Sequence, residues 1–416
     1  MIYHLYKKYI SLGKQKTSCL LSALLLLTIT LTGCRTLQNN DPAAGNSISD
    51  TSIATGNEGS SSDAASNADG SDASVDAIDN TTVLNNGNPV DGPVLSEAPF
   101  VGSDYVRESV ITDDTTISQN ANIYPSLSVP TDITFIDGRY FIVDCYHSQI
   151  IYNDNLSDPL TDWTVLTDNA SSEYSLGHTI VSDGSVMLAD DTENNRVLVF
   201  EKSGDGYTLT QTFDEIGNKP HYIVYNENTD AFYCWSSYSG EMYIFRHKKD
   251  DTRMYLTNVV TIERLADTYV RSFTIDGDDL YFVSGLPADG SSVFPPQILK
   301  YDLETFERIE SYDVPEEIAG MVQLEHIGSL YYITVSTDLY GSQDAATMIC
   351  ASSIEDISNG KYETVYDTFF EGGGTPYYMG VIDGTWYLTE HRLPAHAIWS
   401  FDTDESGVIT ASNAIY

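Results

Sequence analysis

Polar and apolar positions beyond Phe100 follow one repeated grammar. In "TDITFIDGRYFIVD" (131–144), "HTIVSDGSVMLAD" (178–190), "RSFTIDGDDLYFVS" (271–284) and "YMGVIDGTWYLTE" (378–390), an apolar run meets Asp-Gly and a second apolar run follows. Asp-Gly between alternating apolar residues predicts a two-residue hairpin, because both turn positions need positive φ. Weaker copies at 221–236 and 321–336 fill the gaps, and two further runs follow each hairpin, as in "NRVLVFE" and "YTLTQTF". Turn glycines at 138, 184, 277, 328 and 384, with Thr229 standing in for the third unit, recur about every 45 to 56 residues. Six such units predict an all-β fold, a six-bladed β-propeller of four-stranded antiparallel blades occupying 101–416. A lone blade leaves both faces bare, so the units must cover one another.

The second unit carries a more specific likeness. "GHTIVSDGSVMLADDTENNRVLVF" resembles an NHL repeat at Gly177, Asp183, Gly184, Asp190, Asn195, Arg196, Val197 and Phe200. The match is partial in units one and six and poor in three to five. The resemblance implies the propeller fold, and it implies that the polar run Asp190–Arg196, between the second and third strands, braces a corner.

Upstream, the chemistry changes twice. Residues 1–33 hold a leader with Lys7, Lys8, Lys14 and Lys16, then the apolar run "CLLSALLLLTITL", shorter than the roughly twenty residues of a spanning helix. The run ends in "LTGC", which resembles the lipobox of bacterial lipoproteins. The resemblance implies that Cys34 is lipidated and becomes the mature N-terminus, anchoring the chain to a cell membrane on its extracytoplasmic face. In residues 34–100 ten acids face one base and large apolar side chains are scarce. Such a segment cannot offset its ordering entropy and is expected to be a disordered tether.

Charge and cysteine content narrow the partners. A net charge of −41 opposes nucleic acid, whose phosphates demand Lys and Arg. Past Cys34 only Cys145, Cys234 and Cys350 remain, an odd number in three different units, which argues against a disulfide framework.

Candidate chemistry follows from connectivity. Each innermost strand starts beside the end of the second strand, so six such edges ring one mouth of the channel. Counting six residues back from each turn glycine gives Asp132, His178, Arg271, Val322 and Tyr378, with His221 in the third unit. Counting six forward gives Asp144, Asp190, Thr334 and Glu390, with Cys145, Tyr146, His147 and His391 just beyond. The expected ligand-binding set is therefore Asp132, Asp144, His178, Asp190, His221, Arg271, Tyr378, Glu390 and His391. Several six-bladed relatives are metal-dependent hydrolases or lyases. That kinship implies His178 and His221 as ligands of a divalent ion, Zn or Ca, completed by Asp132 or Asp144, with Arg271 on a substrate carboxylate and Tyr378 as acid or base.

The favoured reading is a binding module for a protein or glycan partner. A lactonase- or lyase-like enzyme is the alternative, and a scaffold in an envelope complex is the third. No Gly-x-Ser-x-Gly, HExxH or phosphate loop points elsewhere. The run 402–413 mimics a calcium loop but has Asn413 where a bidentate Glu is required. The long connections 284–297 and 336–347 are expected on the same face as the ring. Most of the 29 tyrosines are expected between blades, where exposed rings could also stack on sugars.

Overall fold

The structure, a computed structural model, describes residues 120–416 except 250, 267, 288–293 and 392–396, together with the backbone of three short strands upstream. The chain divides into two units, Met1–Ala73 and Ser74–Tyr416. The first, with Cys34 and much of the acidic segment, lies outside the described residues.

Six antiparallel sheets each take four strands in chain order, as the hairpin grammar requires. The innermost strands are Pro130–Ile136, Ile180–Ser182, Pro220–Asn226, Phe273–Asp276, Met321–Ile327 and Thr375–Ile382, in blades 1 to 6. Arg107–Val110 adds a fifth, outermost strand to blade 2. Blade 5 departs from expectation. Its fourth strand shrinks to Glu363–Thr364, because the chain first turns through the helix Ile354–Ser358, whose Ser353 cap accepts from Asp356 N, and then through Tyr366–Phe369.

Burial explains why the ring closes. Six apolar clusters occupy the six gaps between neighbouring blades. Successive strand residues point to opposite faces, so Phe141 and Val143 pack towards blade 2 while Ile142 packs towards blade 6. The last gap joins Ile382, Tyr387 and Ile398 of blade 6 to Ile133, Ile142 and Ile151 of blade 1. The C-terminal Tyr416 seals it, donating from its hydroxyl to Asp158 O at 3.0 Å and meeting Trp163 edge-on.

Two details of register decide where side chains point. In blades 1 and 6 the turn is Asp-Gly with both residues at positive φ, as predicted: Asp137 and Gly138, Asp383 and Gly384. In blades 4 and 5 the glycine takes the first turn position instead, and blade 2 uses a four-residue connection between Ser182 and Met187. Counting from the glycine therefore slips by one residue in those three blades. By pairing, the positions equivalent to Asp132 are Thr179, Tyr222, Ser272, Gln323 and Tyr378. The second detail is a β-bulge near the start of the innermost strand in blades 1, 3, 5 and 6, which frees residues at the channel mouth from the ladder.

The realigned positions tie blade to blade. Asp132 accepts from Ile180 N at 3.1 Å, and the Thr179 hydroxyl accepts from Ile223 N at 3.0 Å. The Ser272 hydroxyl donates to Val322 O at 2.6 Å, and the Gln323 amide bonds both the N–H and the carbonyl of Met379. Thr389 donates to Thr131 O at 3.1 Å, joining blade 6 to blade 1. His221 makes the remaining link, from blade 3 to Arg271 O of blade 4 at 3.1 Å.

Candidate functional site at the channel mouth

The bulges supply the residues that fill the mouth. In blade 6, Tyr377 and Tyr378 together oppose Thr389, while His221 and Val322 are the extra residues of blades 3 and 5. Tyr378 reaches across the channel, donating to Arg271 O at 2.8 Å and lying 2.8 Å from His221 Nδ1. Arg271 O can only accept, so the network assigns the His221 proton to Nδ1. Its Nε2 is then the acceptor for the hydroxyls of Tyr377, at 3.2 Å, and Tyr269, at 3.3 Å. Tyr269 is held there by a two-stranded ribbon, Thr268–Tyr269 with Leu286–Pro287, formed by the long connection of blade 4.

His178 stacks on His221 with ring centroids 3.6 Å apart and planes 23° from parallel. Thr192 donates to Asp190 at 2.8 Å, which leaves its oxygen to accept from His178 Nδ1 at 2.9 Å. His178 Nε2 then faces Cys145 Sγ at 3.9 Å. These are the residue types of a nucleophilic pair, but Cys145 is 1% exposed, and burial and Asp190 push its thiol well above the usual range. Cys145 is a core thiol, not an activated nucleophile. It, Cys234 and Cys350 are all unbridged.

Burial sets the charge state of the mouth. It holds His221 and His391 down to about 3, with Arg271 adding to the effect, and lowers His178 well below its ordinary value. All three imidazoles are neutral at pH 7. His391 stacks on Tyr377 at 4.3 Å, and its Nε2 is buried without a hydrogen-bond partner. Arg271 is the cation of the cluster: its guanidinium lies 4.3 Å over the Tyr269 ring and donates to Met321 O at 3.3 Å. Among the described residues no carboxylate lies within ion-pair distance of it.

Five members of the expected set thus converge: His178, His221, Arg271, Tyr378 and His391. The four acids accept hydrogen bonds from the surrounding framework. Asp132 is a blade tie. Asp144 takes Ser128 N at 2.7 Å, Gln149 and His147. Asp190 binds His178 N, Thr179 N and the Thr179 hydroxyl, while Glu390 binds Tyr366 and Trp399. The true counterpart of Asp144 is Asp191, which takes Ser175 N at 2.9 Å and the Arg196 guanidinium in the same way. The corner between them is braced by these bonds.

The histidine pair does not fit a shared metal. Parallel rings show each other their faces rather than their lone pairs, and His221 Nε2 is already spoken for by two hydroxyls. Among the described residues no three His, Cys, Asp or Glu side chains are grouped to hold an ion. In the calcium-like run, Asp404 accepts from Ser406 N and Val408 N and shapes the turn between Ile398–Thr403 and Ile409–Ala414.

Solved structures similar to this chain include three at low identity. A provisionally assigned 6-phosphogluconolactonase from Bacteroides fragilis is 12% identical, over 68% of this chain and 83% of its own, with a TM-score of 0.47. Another such protein, from Bacteroides uniformis, is 13% identical over 77% and 88%, at 0.46. A streptogramin B lyase is 12% identical over 73% and 86%, also at 0.46. No family model and no curated protein matches the chain.

Sequence counting missed Tyr377 and Tyr269. The first was hidden by the bulge, which turns two successive residues to the channel. The second sits outside the repeat, in the segment before the innermost strand.

The acids carry a pH signature. Burial raises Asp132 from 3.8 to about 7, so the folded chain keeps this proton where the unfolded chain has lost it. Its contribution therefore falls as pH rises from about 4 to 7. His221 and His391 act oppositely: their contribution is present above about 6.5 and lost as pH falls towards 3. Asp132→Asn removes only the first effect. Denaturant unfolding should show the variant gaining on the parent by up to roughly 1.4 kcal/mol per pH unit within that window. A difference independent of pH contradicts the assignment.

Proposed function

We propose that this chain is a lipid-anchored, extracytoplasmic, NHL-like propeller that acts as a binding module, receiving an anionic group of a glycan or protein partner on Arg271. The observation that carries this reading is an arginine with no acid partner among the described residues, in a chain of 61 acids and 20 bases. The three imidazoles around it are neutral, so Arg271 is the cation of the mouth. A carboxylate entering the mouth would meet the planar guanidinium fork already oriented on Tyr269, and His391 Nε2 would gain the partner it lacks.

Two measurements test this. Glucuronate and N-acetylglutamate, titrated into the full chain with glucose as the neutral control, should bind where glucose does not. Arg271→Gln should weaken that binding by about tenfold or more, and Arg271→Lys should recover it only in part. Equal binding of glucose, or no effect of Arg271→Gln, contradicts the reading. For the anchor, Cys34→Ser should abolish palmitate labelling and release the chain from membranes; labelling that persists refutes it.

A further inference from the structure

The channel does not run through. Tyr222 of blade 3 packs on Tyr378 at 4.7 Å and accepts from Gln323 of blade 5 at 2.9 Å, walling the mouth off from the opposite end. At that other end, among the hairpin turns, the channel widens into an open vestibule of about 670 Å³. Its lining has a one-sided chemistry: three carboxylates, Asp137, Glu227 and Glu325, five aromatic rings including Phe135, Tyr222 and Trp386, and no Lys, Arg or His. Asp137 is engaged by Lys202 at 3.3 Å from outside. Glu325 accepts from Gln323 Nε2 at 2.8 Å and is the innermost acid.

We infer that this vestibule binds a small organic cation, an alkyl- or quaternary ammonium group seated on Glu325 and enclosed by the aromatic rings. Aromatic faces attract a cation through their quadrupole, and most strongly where water is thin. A carboxylate at the floor supplies the counter-charge, and the absence of any base leaves nothing to repel the ligand. An anion or a neutral sugar would find only uncharged donors, such as the hydroxyls of Thr134, Ser182 and Thr274, and no cation. The site is separate from Arg271, and its ligand carries the opposite sign.

Glu325 also reports occupancy. Burial, with Asp276 adding to it, raises its carboxyl to about 8, so the empty vestibule holds it mostly protonated at pH 7. The titratable groups that face it are Asp276, paired with His326 at 2.8 Å, and Tyr222, which also senses Asp132. A bound cation favours the ionised form and expels the proton.

The probe is tetramethylammonium, titrated calorimetrically into the full chain between pH 6 and 9. Affinity should rise about tenfold from pH 6 to 7 and level off above about 8. Glu325→Gln, which keeps the bond from Gln323, should bind about tenfold more weakly than the parent at pH 8 and lose the pH dependence. Independently of any variant, titrations of the parent at pH 7 in buffers of different ionisation enthalpy should register about one proton released per cation. No binding, binding as tight by glucose, equal affinity of parent and variant at pH 8, or binding without proton release each overturns the proposal.

Discussion

A four-stranded sheet with apolar side chains on both faces has no stable existence by itself; something must cover each face. In this chain the cover is the neighbouring blade, and six apolar clusters fill the six gaps. Apolar burial is not directional, however, and would tolerate blades sliding past one another. The hydrogen bonds between innermost strands remove that freedom. Four run from a side chain in or next to an innermost strand, and that of Thr389 from a second strand, to the backbone of the next blade, so each is satisfied at one register only. A buried backbone group deprived of such a partner costs about 1–3 kcal/mol, enough to penalise any slip.

The same constraint explains the mouth. Where bulges free residues from the ladder, the freed side chains have nowhere to go but inward, and they meet as a plug of His221, Tyr377, Tyr378 and Val322. His178, His221 and the tyrosine hydroxyls satisfy one another there, while Arg271 and His391 Nε2 keep unspent capacity. Below the plug the channel is lined by acids and rings. One fold thus presents two openings of contrasting electrostatic character, which a through-pore could not keep apart.

Much of this was readable from the chain. The period of the Asp-Gly hairpins carried the blade count and the direction of the mouth, because turn chemistry and strand alternation are local rules. The fourth strand of blade 5 was not readable: "YETVYDTF" has strand-like residues, but the preceding Ser353 cap starts a helix that uses up the connection. Individual site positions failed for a related reason. A glycine marks a turn without saying which turn position it holds, so Asp190 was paired with Asp144 when Asp191 is its counterpart. Glu325 did leave a trace. It alternates with Gln323 in a strand that should be apolar on both faces, which is how a channel-lining position reads.

The ties between innermost strands can be observed directly. The amides of Ile180, Ile223 and Met379 give their protons to side chains of the preceding blade. Native-state hydrogen exchange, resolved at these three amides, therefore reads the integrity of the ring. The account predicts that all three exchange only through global unfolding, with the same opening free energy as the central strands. Rapid exchange at any of them, under conditions where the central strands stay protected, would mean that the blades are not locked to one another and would contradict it.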